Sequence, residues 1–149
     1  MTYEEWEATV PDDVKREPLW HVQAYRLALL LADGAELDTR GLRDGSSDPR
    51  FVKNAAQLCA AAGSVAANIA EGYPRRSGKD RCRYYEYALT SLAETKSWYL
   101  TVRRSIDPAV MTLRLATMRS ISRLLLTMMR SARAAGADEL RPRAQKLTP

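Results

Sequence analysis

The sequence predicts an all-α protein that folds as an antiparallel up-and-down four-helix bundle. Four stretches repeat apolar residues at the three- and four-residue spacing of a helix, and none alternates apolar and polar residues as a strand does. The connections after the second and third predicted helices are short, which favours antiparallel neighbours. A length of 149 residues suits one domain. We therefore divide the chain into an acidic N-terminal extension (1–17), the bundle (18–136) and a basic tail that we expect to be mobile (137–149).

The first predicted helix runs from Pro18 to Leu37, with proline at a favoured first position. It is apolar on two faces: Trp20, Ala24, Leu27 and Leu31 form one, and Val22, Tyr25 and Leu29 form the other. A helix of this kind is buried on two sides. In a domain of this size, the second side predicts contact with another subunit. The following segment 38–49 is rich in Gly, Asp and Ser, which predicts a loop.

The second predicted helix spans Pro49 to Glu71 and is rich in alanine, which favours helix. Its predicted core face consists of Phe51, Leu58, Ala62, Val65 and Ile69. Gly72 is the expected helix-ending residue, and Pro74 prevents continuation.

The third predicted helix begins at Ser77, which resembles the first residue of a capping box with Asp80, and ends near Ile106. Its predicted core face consists of Tyr84, Ala88, Ser91, Leu92, Thr95, Trp98, Tyr99 and Val102. The Asp107-Pro108 pair predicts the start of a fourth helix that reaches Ala135, with Gly136 as its stop. Its inward-facing residues are Met118, Ile121, Leu124, Leu125, Met128, Met129 and Ala132.

The charge is unevenly distributed along the chain. Residues 1–14 contain five carboxylates and no Lys or Arg, so the rest of the chain carries +10 against +5 for the whole. A body this basic favours phosphate-rich partners, although an ordinary solvated basic surface explains the charge equally well.

Few residues suggest catalysis, and we predict that the protein is not an enzyme and needs no cofactor. His21 is the only histidine, and Cys59 and Cys82 have no zinc-ligand spacing, so no metal site is predicted. No phosphate-binding loop of the GxxxxGK[ST] type occurs. The N-terminus lacks the order of a signal peptide, and no apolar stretch is long enough for a membrane span, which predicts a cytoplasmic protein without membrane contact.

The segment 64–94, SVAANIAEGYPRRSGKDRCRYYEYALTSLAE, resembles the signature of the bacterial family typified by the 23S rRNA intervening-sequence protein. The matching positions are Ser64, the run from Asn68 to Tyr73, Arg75, Ser77, Lys79, Tyr84, Ala88, Ser91 and Glu94. The resemblance implies an antiparallel four-helix bundle that assembles as a homopentamer. The resemblance extends to the accessory variability proteins of diversity-generating retroelements, and it therefore implies nucleic acid and a reverse transcriptase as expected partners. This chain departs from the pattern in its acidic N-terminal extension, in Pro74 and in its basic tail.

The motif residues allow two interpretations. The set comprises Ser64, Asn68, Glu71, Gly72, Ser91 and Glu94. In the first interpretation, Asn68 and Glu71 form part of a site for a ligand or for RNA. As a structural network, which we favour, they fix the register of the second and third helices, since a satisfied polar network specifies one packing.

Two groups of basic residues are candidates for nucleic-acid binding. The first lies at the turn before the third helix and comprises Arg75, Arg76, Lys79, Arg81 and Arg83. A helix N-terminus attracts phosphate, and the nearby Tyr73, Tyr84 and Tyr85 offer rings for base stacking. The second is a stripe on the fourth helix that comprises Arg119, Arg123, Arg130 and Arg133. The alternative interpretation is that these residues form an ordinary solvated basic face. In that case, Tyr84 beside the first group belongs to the core.

Three functional hypotheses follow. The first is a homo-oligomer that binds RNA or another nucleic acid. The second is an accessory subunit that docks on a reverse transcriptase. The third is a structural oligomer without a nucleic-acid role.

Overall fold

The computed structural model describes residues 2–45 and 48–139, and these are almost entirely helical, with no strand among them. The α-helices are α1 (Tyr3–Glu7), α2 (Asp12–Lys15), α3 (Gln23–Gly45), α4 (Pro49–Gly72), α5 (Gly78–Val102) and α6 (Pro108–Glu139). Short 3-10 helices occupy Pro18–His21 and Arg103–Ser105. The predicted all-α class is confirmed. No helix within these ranges is long and apolar enough to cross a membrane.

The four long helices share one apolar core. Helix α4 packs between α3 and α5, and α6 packs against both α5 and α3. The largest fully buried apolar side chains of the four helices are Leu31, Leu58, Val65, Ile69, Tyr99, Val102, Ile121 and Leu125. The helical periodicity of the sequence therefore identified most of this core, because each of these positions lies on the inner face of its helix.

The prediction of a loop over 38–49 was wrong for most of that segment. Helix α3 continues to Gly45 and does not end at Leu37. It also begins later than predicted, at Gln23, and Pro18–His21 forms a separate 3-10 helix before it. Thr39 is fully buried and donates a hydrogen bond to the Ala35 carbonyl at 2.7 Å. Packing of this kind offsets the weak helix propensity of the Asp, Thr and Gly residues.

Helix α4 ends at Gly72 as predicted, whereas α6 does not stop at Gly136. The described glycines all lack a positive φ, so neither Gly72 nor Gly136 adopts a left-handed cap. Gly72 is the last residue of α4, and a Cβ there would lie 2.7 Å from the Tyr84 Cβ. Helix α6 passes through Gly136 and includes 137–139, which the sequence pattern assigns to the tail. The remaining tail residues, with Arg141, Arg143 and Lys146, lie outside the described residues.

Two aromatic assignments to the core were also wrong. Phe51 is 39% exposed, because it lies in the first turn of α4. On α5, Tyr85 is buried and Tyr84 is only half-buried, because Tyr85 shares the inner face with Ala88, Leu92 and Tyr99.

The acidic N-terminal extension folds back onto α3. Trp6 of α1 is buried and stacks on Trp20 with ring centroids 6.0 Å apart. Its indole Nε1 donates a 2.7 Å hydrogen bond to Asp33 Oδ2, and Glu7 lies 3.6 Å from Arg26. The N-terminal extension therefore covers part of the outer face of α3. The sequence predicts that another subunit covers this face.

We expect Trp6→Ala to lower the free energy of unfolding by about 2 kcal/mol, less than a tryptophan deep in a core, because the extension is peripheral. The loss should be seen in urea denaturation, together with faster proteolysis within residues 2–15. Tyr87→Ala is the matched control, since Tyr87 is 50% exposed and its removal should cost under about 1 kcal/mol. Equal stabilities for Trp6→Ala and Tyr87→Ala would contradict the anchoring role of Trp6.

Candidate nucleic-acid interface

The arginine stripe of α6 forms an exposed row. Arg119, Arg123, Arg130 and Arg133 are all exposed and, at 1.5 Å per residue, extend over about 21 Å. The side chains of Arg119 and Arg123 make no hydrogen bond or ion pair with the described residues. Arg130 donates to Thr127 Oγ1 at 3.2 Å, and Arg133 lies 3.4 Å from Glu86 across an exposed contact. Of these four arginines, only Arg133 is paired with a carboxylate among the described residues.

Lys96 of α5 adds a cation beside this row, and sequence reasoning missed it. Lys96 is exposed and lines a groove between α5 and α6 together with Arg119 and Arg123. Among the described residues, none that lines this groove is a carboxylate. The sequence contained no signal for Lys96, because its position beside the stripe depends on how α5 and α6 pack.

Part of the basic turn before α5 is occupied with structural contacts. Arg75 donates to the Glu71 carboxylate at 3.1 Å and to the Tyr84 hydroxyl at 3.0 Å. Arg81 donates two 2.8 Å hydrogen bonds to the carbonyls of Arg75 and Arg76. These two guanidinium groups hold the turn in place and offer few free donors to a ligand.

The rest of the basic turn is more accessible. Arg76 and Lys79 are exposed, and their side chains form no hydrogen bond or ion pair with the described part of the chain. Arg83 is exposed and lies 3.2 Å from Asp80. The turn therefore contributes Arg76 and Lys79 as unpaired cations, and Arg83 as a paired one.

The tyrosines at this turn are mostly unavailable for base stacking. The Arg75 and Arg83 guanidinium groups lie 4.8 Å and 5.6 Å from the centre of the Tyr84 ring. Tyr85 is buried, and burial raises the pKa of its hydroxyl. Tyr73, at 39% exposed, is the predicted stacking residue that remains open.

The helices that carry the two basic groups are in contact at one end of the helical core. Gly78 at the start of α5 lies against Gly136 near the end of α6, and a Cβ on Gly136 would lie 3.8 Å from the backbone nitrogen of Lys79. Arg133 reaches across to Glu86 of α5, near this end. The start of α5 and the end of α6 are therefore adjacent, but Tyr73 and Arg81 of the turn line a groove with Val22 and Thr127. We use the term α5–α6 surface for the exposed stripe Arg119, Arg123, Arg130 and Arg133 together with Lys96.

Residues 49–125 match the family model of the 23S rRNA-intervening sequence protein. The chain belongs to this family. The matched range starts at α4 and ends within α6, so it includes Lys96, Arg119 and Arg123 but not the N-terminal extension. No curated protein sequence is significantly similar to the chain.

In this member of the 23S rRNA-intervening sequence family, one contact of the motif residues links α4 to α5, and the others are local. Asn68 Nδ2 donates to the Ser64 carbonyl at 2.8 Å and contacts Ser91 Oγ at 3.4 Å. Glu71 is exposed and paired with Arg75. Glu94 accepts a 3.3 Å hydrogen bond from Trp98 Nε1. None of these contacts involves a residue of the arginine stripe.

Sequence reasoning also missed a buried ion pair between α3 and α6. Asp38 accepts hydrogen bonds from Arg114 Nε at 2.8 Å and from the Tyr99 hydroxyl at 2.8 Å. Asp38 lies in the segment predicted as a loop, so nothing in the pattern indicated burial. The described residues contain no group of three or more His, Cys, Asp and Glu side chains that would hold a metal ion.

Proposed function

We propose that this protein binds RNA or another nucleic acid and does not catalyse a reaction. The observation that carries the proposal is the cluster of Lys96, Arg119 and Arg123, three exposed cations without a carboxylate partner among the described residues. Phosphate groups supply the missing negative charge, and their binding releases condensed counterions. Membership of a family named for an insertion in rRNA supports this choice of ligand.

We infer that α3 to α6 form an antiparallel up-and-down four-helix bundle that presents this surface. Four contacts between helix ends support the inference. Gly72 at the end of α4 lies against Tyr84 near the start of α5, and Gly78 lies against the end of α6. At the opposite end, Asp38 of α3 contacts both Tyr99 of α5 and Arg114 of α6. An alternating direction of the four helices satisfies all these contacts.

We further propose that the protein acts as a homo-oligomer, with a pentamer as the state that the family resemblance implies. Leu113 of α6 is 51% exposed and Leu100 of α5 is 41% exposed. Contact between subunits would remove such apolar surface from water. An oligomer would also repeat the α5–α6 surface and so strengthen binding to one long nucleic acid through multivalency.

The test is the affinity for RNA and DNA oligonucleotides as salt is raised. We expect the logarithm of the association constant to fall linearly with the logarithm of the salt concentration. The double variant Arg119→Gln/Arg123→Gln should bind more weakly and reduce that slope by about 0.7–0.9 for each phosphate that the variant no longer neutralises.

Arg16→Gln/Arg50→Gln is the matched control, because it removes the same charge. Arg16 and Arg50 are exposed but paired with Asp13 and Asp48, outside the α5–α6 surface. Equal slopes for the two double variants would contradict the proposed site, and no binding at low salt would overturn the proposed function.

A further inference from the structure

A groove of about 400 Å³ lies between α5 and α6, within the basic surface. Its apolar wall is formed by Leu89, Leu92, Ala93, Leu115 and Met118. Lys96, Arg119 and Arg123 contribute the positive charge, and Ser122 adds a hydroxyl group. The volume falls at the lower end of the range for small-molecule sites, so the groove suits a group of limited size.

This groove differs in charge from two others on the molecule. In a groove of about 410 Å³ beside α1, Arg26 is paired with Glu7 and Arg114 with Asp38. In a groove of about 370 Å³ near the turn before α5, Arg81 donates to backbone carbonyls. The α5–α6 groove combines an apolar wall with cations that have no partner among the described residues.

We propose that the α5–α6 groove binds unpaired nucleotides, so that the preferred ligand is single-stranded rather than double-stranded nucleic acid. The inference rests on the proposed function. A base would enter the groove and contact Leu89, Ala93 and Leu115, while the neighbouring phosphates would contact Lys96, Arg119 and Arg123. Single strands expose base faces that apolar side chains cover, and a nearby hydroxyl can hydrogen-bond a base edge.

A duplex fits this arrangement less well. Its bases are stacked and paired, so it presents mainly sugar and phosphate to a protein surface. Such a ligand would cover the apolar wall without filling it, and the groove would contribute no favourable contact.

An acidic amphipathic helix from a partner protein is also less well matched. Such a helix needs apolar anchors over at least two turns, at positions i, i+4 and i+7. The apolar residues of the groove extend only over residues 89–93 and 115–118, which is about 6 Å along α5 and about 4.5 Å along α6. The arginine row is more than three times as long, as expected for a phosphate chain with one base inserted.

The experiment compares a fluorescein-labelled oligouridylate with an RNA duplex of equal length, using the full chain and a range of salt concentrations. The groove variant is Ala93→Leu, which places an aliphatic side chain in the groove without changing charge. Ala67→Leu is the control, because Ala67 is also an exposed alanine but lies on α4. Far-ultraviolet circular dichroism checks that both variants remain helical.

We expect the single strand to bind more tightly than the duplex at matched salt. Ala93→Leu should weaken single-strand binding roughly tenfold, in keeping with the energy of one base contact, and leave the salt slope unchanged. Ala67→Leu should bind like the parent protein.

Duplex binding as tight as single-strand binding, or an unaltered affinity in Ala93→Leu, would overturn the inference. The proposed function would survive either result, provided that Arg119→Gln/Arg123→Gln still reduces the salt slope. An absence of binding to both RNAs at low salt would instead remove the proposed function. If Ala93→Leu does not fold, Ser122→Leu provides a second obstruction from the α6 side, with the same expected tenfold weakening.

Discussion

Replacing Asp38 with alanine should destabilise the protein by about 3–5 kcal/mol, because it leaves a buried positive charge without its partner. The Asp38 carboxylate accepts hydrogen bonds from Arg114 Nε at 2.8 Å and Nη2 at 3.0 Å. The two side chains are only 8% and 11% exposed. Tyr99 adds a third hydrogen bond at 2.8 Å. Burial, reinforced by the Asp38 carboxylate, raises the pKa of the Tyr99 hydroxyl, so the phenol stays protonated and remains a donor.

The measurement is urea denaturation at neutral pH, followed by circular dichroism. Asp12→Ala is the control, since Asp12 forms an ion pair with Lys15 but its side chain is 82% exposed. Its removal should cost at most about 1 kcal/mol. Replacing both partners, in Asp38→Leu/Arg114→Met, should recover much of the stability, because no charge then remains buried. A double variant as unstable as Asp38→Ala would show that the ion pair itself, and not the orphaned charge, determines the stability.

Helical periodicity, together with capping and helix-ending residues, was enough to predict α4 and most of α5 and α6. Their apolar residues recur at helical spacing, and Asp48, Ser77 and Asp107 cap their first turns by accepting backbone N–H donors. The C-terminal half of α3 could not be predicted in this way. The composition around Asp38 and Thr39 favours a loop. Contacts with residues far along the chain explain why this segment is helical and buried: Asp38 contacts Tyr99 and Arg114. Thr39 contacts Cys59.

The candidate site was predictable only within single helices. The i, i+4 spacing of Arg119 and Arg123 places both on one face whatever the tertiary structure. The addition of Lys96 depends on the packing of α5 against α6, which a single-helix pattern does not contain. The distinction between Arg81, which binds backbone carbonyls, and Arg76, which is exposed, depends on the path of the turn.

Gly78→Ala should lower the free energy of unfolding by about 3 kcal/mol, because the backbones of α5 and α6 are in direct contact at this position. A Cβ on Gly78 would collide with the Ala132 carbonyl oxygen and lie 2.8 Å from the Gly136 nitrogen. These are backbone atoms, which cannot rotate away as a side chain does. The two helices would have to separate, and that movement would also shift Lys79 relative to Arg133.

Gly63→Ala on α4 is the matched control and should have the opposite sign. A Cβ on Gly63 would have no atom within 4 Å outside its own helix backbone and chain neighbours, so alanine should stabilise the helix by about 0.5–1 kcal/mol. Thermal unfolding of both variants, with oligonucleotide affinity measured at low temperature where both are folded, separates stability from binding. If Gly78→Ala also weakens binding while Gly63→Ala does not, the junction of α5 and α6 positions the basic surface as well as closing the core. If Gly78→Ala is as stable as Gly63→Ala, the two helices do not approach as closely as the structure places them.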